Sequence, residues 1–184
     1  MASRGYDMTP TMYSPDGRIY QVEYAIETVK RGTLAIGVRS KEGVIMAVEE
    51  KPRALQTANV TQKIFQVDYH IGVAAAGYIP DARVQVDNAY VTDPSGTYVQ
   101  YAAIAIGAGS DEVNVFLEKH YNSEMSLSDA ASLAIAAINL KAEQKEGLDH
   151  IKMAKVTSEK KIFERVSESD LQNYSKNASK FTTS

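Results

Sequence analysis

YSPDGRIYQVEYAIETVKRGTLAIG, residues 13–37, begins as a helix and ends as a strand, with a threonine directly behind a glycine at the join. Ser-Pro-Asp-Gly is turn chemistry, and Ser14 or Asp16 is available to cap the next segment. Ile19, Val22, Ile26 and Val29 then recur at three- and four-residue steps, while Glu23, Glu27 and Lys30 take the other side. This spacing predicts an amphipathic helix over 18–31 that needs a neighbour to cover its apolar stripe. Gly32 stands where a helix end wants a residue tolerant of positive φ. Thr33 is therefore either a nucleophile released by cleavage behind Gly32 or an ordinary strand residue. Burying the four apolar side chains is worth roughly 6 to 12 kcal/mol in gross terms, an upper bound because the unfolded chain hides part of that surface. A segment made to be discarded has no need of such a face.

Downstream, TLAIGVR and VIMAV flank the turn SKEG, and KIFQV and IGVAAAG flank DYH, so each pair reads as a hairpin. PDARVQVDNA, 80–89, opens like a helix with proline in its first turn. VTDPSGTYVQY reads as a further hairpin, and AAIAIG as a buried strand ending in the loop GAGS. DEVNVFLEKHY is a helix with Val113, Phe116 and Leu117 inward, and a longer alanine-rich helix opens at Ser126 with Asp129 three residues on, like a capping box. IKMAKVT and KIFERV make the last hairpin, and a short helix near 169–174 precedes a polar tail. Tight turns between short strands favour antiparallel sheets. Strand pairs at both ends of the chain enclosing helices predict an α+β layered sandwich. The organisation expected is a flexible arm over 1–12, one domain over 13–174 and a tail over 175–184.

Composition is that of an ordinary globular chain, with 44% hydrophobic and 23% charged residues among 184. A net charge of −3 without a basic run argues against nucleic acid as a partner. There is no cysteine, which excludes disulfides and thiolate metal sites and suits a cytoplasmic home. His70, His120 and His150 lack ligand spacing, so no metal and no cofactor are expected. No stretch approaches the ~20 apolar residues of a membrane span. The loop GAGS lacks the lysine of a phosphate-binding loop and reads as a tight strand-to-helix turn. Glu49 and Glu50, beside Lys51 and Arg53, read as a solvated strand end.

Taken together, residues 5–38 (GYDMTPTMYSPDGRIYQVEYAIETVKRGTLAIGV), 63–84 (KIFQVDYHIGVAAAGYIPDARV) and 91–118 (VTDPSGTYVQYAAIAIGAGSDEVNVFLE) resemble the α subunits of the 20S proteasome, most of all the archaeal kind. The resemblance implies the N-terminal nucleophile hydrolase fold, a four-layer αββα sandwich of antiparallel sheets. It implies as partners six further copies in a seven-membered ring, proteasome β subunits, the C-termini of activator ATPases, and unfolded protein substrates. The related β subunits expose an N-terminal threonine whose amine serves as base. By that resemblance Thr33, Glu49 and Lys63 match catalytic positions, whereas Leu34 and Ala108 depart from the catalytic pattern. The resemblance further implies a gate cluster at Tyr6, Asp7, Pro15 and Tyr24. Met8 stands where the family usually has arginine, which leaves Arg4 as a substitute. It also implies an inter-subunit pocket in which Lys63, bordered by Gly32 and Ile19, receives an activator's terminal carboxylate. One departure is large: family members continue the helix begun at Asp81 and add a further helix and strand, whereas this chain passes from Ala89 to Tyr90 as if spliced.

Overall fold

A computed structural model describes residues 9, 11–50, 63–77, 99–140 and 147–181. The expected helix over 80–89, the turn at 93–96, the join at Ala89–Tyr90 and the arm residues Tyr6 and Asp7 lie outside these. The first helix is α1, Tyr20–Arg31. The hairpin β1 (Ala35–Ser40) and β2 (Gly43–Glu49) comes next, then the hairpin β3 (Ile64–Asp68) and β4 (Ile71–Ala74). Strand β5 (Ala103–Ile106) leads through the GAGS turn into α2 (Ser110–His120) and α3 (Leu127–Asn139). The hairpin β6 (Ile151–Thr157) and β7 (Phe163–Arg165) precedes α4 (Glu168–Ala178) and a 3₁₀ turn to Phe181. Among the described residues no helix is long and apolar enough to cross a membrane.

Five strands form one antiparallel sheet in the order β5-β1-β2-β6-β7, and β3 and β4 form a second. Because side chains alternate along a strand, each face of the large sheet owns its own core. Leu34, Ile36, Val38, Ile45, Ala47, Ile151 and Met153 face α2, α3 and α4. Ala35, Val48, Ala154 and Phe163 face the other way, with Ile64 of β3 and Ala74 of β4 packed against them. This is the expected α+β sandwich of antiparallel sheets, with helices on one face and a second sheet on the other.

Capping follows the sequence at α3 and departs from it at α1. The Ser126 hydroxyl accepts from the Asp129 N–H at 3.1 Å and lies 2.7 Å from its carboxylate. Glu42, in the β1–β2 turn, adds a second cap by accepting from the Leu127 N–H at 2.9 Å. At α1 the N-cap is Ile19, with no side-chain cap. Ser14 instead closes the preceding turn, its hydroxyl accepting from the Arg18 N–H at 3.0 Å, so the helix starts two residues later than expected. Val99 to Tyr101 carry no strand, which removes the described end of the expected third hairpin. The last helix runs to Ala178, and Phe181 packs against the core; residues 175–181 are structured where a polar tail was expected.

Candidate functional site

Thr33 sits between the end of α1 and the start of β1, and four segments distant in sequence converge on it. Its hydroxyl donates to the Glu49 carbonyl at 2.7 Å, extending the β1–β2 ladder by a side chain. The Leu34 N–H lies 3.4 Å from the Glu49 carboxylate, which is thereby turned toward backbone. Lys63, just ahead of β3, brings its ammonium to the Thr33 hydroxyl, to the Thr33 carbonyl at 2.8 Å and to the Glu49 carbonyl at 3.3 Å. Three donors meet three acceptors, which is what allows a lysine only 7% exposed to stay charged. Burial still pushes its pKa down to about 8, against the opposing pull of the Glu49 and Glu50 carboxylates.

Two glycine contacts lock the junction. Gly32 has φ −74° and ψ 153°, an extended conformation open to any residue, so the expectation of a positive φ is corrected. Glycine is needed there for space: a Cβ would run into the Gly77 nitrogen and lie 2.7 Å from the Gly77 Cα. Gly77 does have positive φ, +98°, and rests on Val29 of α1. On the other side Gly107, φ +107°, lies where a Cβ would come within 2.7 Å of the Thr33 carbonyl oxygen. The Ala108 N–H then donates to the Gly32 carbonyl at 2.7 Å. The GAGS loop is thus the tight turn its glycines suggested, and its work is to hold the Gly32–Thr33 peptide.

The candidate catalytic trio Thr33, Glu49 and Lys63 is brought together. In the uncleaved chain the Thr33 nitrogen is an amide without a basic lone pair, and the hydroxyl hydrogen is committed to the Glu49 carbonyl. Lys63 is buried and Glu49 half-buried, so Glu49 is not the solvated strand end that its neighbours in sequence suggested. Gly32 belongs to the same cluster. Ile19 does not; it caps the far end of a 12-residue helix, roughly 18 Å away at 1.5 Å per residue. A pocket lined by Ile19, Gly32 and Lys63 needs Ile19 from a second copy. Of the residues expected to form a gate, Pro15 is exposed in the turn held by Ser14, and Tyr24 is exposed on α1 with its ring 6.1 Å from that of Tyr20. The roles of Gly77 and Gly107 were missed from sequence; the only signal was a glycine directly after each apolar strand run.

The family model described as "Proteasome subunit" matches residues 29–90 and 87–156, and a second model, the N-terminal signature of A-type proteasome subunits, matches 6–27. Among curated proteins, the proteasome alpha subunit of Pyrococcus horikoshii is 33% identical over 92% of this chain and 86% of its own length. That of Archaeoglobus fulgidus is 32% identical over 92% of each. That of Methanobrevibacter smithii is 29% identical over 95% of this chain and 92% of its own, in an alignment of 231 residues. Since the chain has 184 residues, at least 47 aligned positions of that relative have no counterpart here. The family match breaks at 87–90, where the sequence reads as spliced.

Proposed function

The chain belongs to the proteasome subunit family, and from that premise we propose that it is an α-type, non-catalytic ring subunit of the core particle. In this reading it gates the entry of unfolded proteins to the proteolytic chamber. It works as one of seven copies in a cytoplasmic ring stacked on β subunits. The α-type N-terminal signature over 6–27 covers most of α1, the segment that cleavage before Thr33 would remove. The observation that carries the reading is the Gly32–Thr33 junction. Gly77 on one side and Gly107 and Ala108 on the other pack against the Gly32–Thr33 peptide, so a cut there would release the contacts that hold the end of α1 to the body.

Tyr6, Asp7, Pro15 and Tyr24 are proposed to hold the gate between neighbouring copies. Lys63, with Gly32 of the same chain and Ile19 of the next, is proposed to receive an activator's terminal carboxylate. The longest Lys63 contact, 3.3 Å to the Glu49 carbonyl, is the one that such a carboxylate can replace. N-terminal sequencing of the mature chain tests the reading, with images of the purified particle. A start near Met1 and a seven-fold ring are expected. A mature chain starting at Thr33 overturns it in favour of a self-processing threonine hydrolase that uses Thr33, Lys63 and Glu49.

A further inference from the structure

Among the described strands, β5 is the outer one of the five-stranded sheet. Ala105 lies opposite Ile36 of β1, yet both of its backbone groups turn the other way. The Asn114 side chain meets them: its Oδ1 accepts from the Ala105 N–H at 2.7 Å, and its Nδ2 donates to the Ala105 carbonyl at 3.1 Å. A side-chain amide carries one donor and one acceptor in the same spacing as a peptide group. Asn114 therefore reproduces, for one residue, what an added strand would supply. The helix that carries it is seated firmly, because Val113 and Leu117 are fully buried.

The segment that leads into and forms β5 is hazardous. Val99 to Ile106, VQYAAIAI, holds eight consecutive residues with no charge, proline or glycine, and is rich in residues that suit strands. Val99, Tyr101 and Ile106 are exposed. Uncharged, apolar edges recruit like edges. We propose that Asn114 is an edge stop: its amide closes β5 against strand addition, and the occupant it excludes is the same segment of a second copy of this chain. Subunit contacts of this protein then do not run through β5.

The test uses the full chain at micromolar concentration, comparing the parent with Asn114→Leu, Asn114→Ala and Asn114→Ala combined with Ile106→Lys. Leucine keeps the volume and improves helix propensity, so loss of fold is not expected. Both single variants are expected to retain the parent's far-ultraviolet circular dichroism while the Ala105 amide exchanges with solvent about tenfold faster or more. Both should also form thioflavin-positive assemblies that the parent does not form. A lysine at position 106 places charge on the opened edge and should return the alanine variant to the parent's sedimentation profile. Ala105 amides that stay protected, single variants as dispersed as the parent, or assembly indifferent to Ile106→Lys would each overturn the proposal. A leucine variant that cannot fold would make Asn114 a packing residue and overturn it too.

Discussion

Helices α1 and α3 are nearly the same length, 12 and 13 residues, and both carry apolar positions at helical spacing. Their fates in the fold are opposite. Ten residues of α3 are buried, whereas α1 buries none. The α3 helix is all-round small and apolar, so it lies between sheet and α4. Ser132 at its centre sits 2.8 Å from the Ser128 carbonyl and 2.9 Å from that of Tyr174, sharing one proton between its own helix and α4. The stripe of α1, Ile19, Val22, Ile26 and Val29, is only half-buried, so the gross burial expected from sequence is not realised within one chain. The α1 helix is held by its ends: Gly32 pressed on Gly77, and the Ser14 turn at its start. Burial makes α3 part of the body, and end contacts make α1 an attachment to it. A permanent attachment with a half-covered stripe is what a ring subunit presents to its neighbours in the reading proposed above.

The contrast can be broken by substitution. Leu133→Ala in α3 should cost about 2–5 kcal/mol in urea unfolding, because a fully buried side chain leaves a cavity. A cost below about 1 kcal/mol there would contradict the assignment of α3 to the body. Next is the root of α1. The Lys63 pKa is about 8 in the fold against an ordinary 10.5, so between those values the unfolded chain binds more protons and stability rises with pH. Relative to Lys63→Met, the parent should gain up to about 3 kcal/mol between pH 8 and 10.5; a flat difference across that window counts against a buried ammonium. Gly32→Ala forces Cβ onto the Gly77 backbone and should cost about 1–3 kcal/mol, with faster amide exchange concentrated in α1. Ser126→Ala should remove about 1 kcal/mol by uncapping α3. Smallest is Val22→Ala on α1, expected within about 1 kcal/mol for the isolated chain because half-burial is lost while helix propensity improves. In the proposed ring the same change should lower the yield of assembled particle, read by size-exclusion chromatography.

Local features were legible to the residue where the forces were local. The capping box at Ser126, the β1–β2, β3–β4 and β6–β7 hairpins, and Val113 and Leu117 as the inward face of α2 all come from spacing. What misled was equally specific. Gly32 was read for its conformation, but its requirement is set by Gly77, forty-five positions on. Glu49 read as a solvated strand end because of its charged neighbours Glu50, Lys51 and Arg53, and no spacing in the sequence paired it with Lys63. Their actual surroundings are each other, Thr33 and the edge of β1. The last helix outran its expected end because Phe181 returns to the core, a contact that no helical periodicity announces.

The residues alone determined the kind of element at most described places, the antiparallel pairing of the β1–β2, β3–β4 and β6–β7 hairpins and the family, because periodicity, capping and turn chemistry act within a few positions of the chain. Tertiary structure alone decided that Gly32 must be small, that the Lys63 ammonium points inward with a depressed pKa, that Glu42 caps α3, and that Asn114 closes β5. The reason is physical: steric exclusion, desolvation and the last partner of a backbone group are set by whatever packs alongside, and in a layered sandwich that neighbour comes from a distant part of the chain.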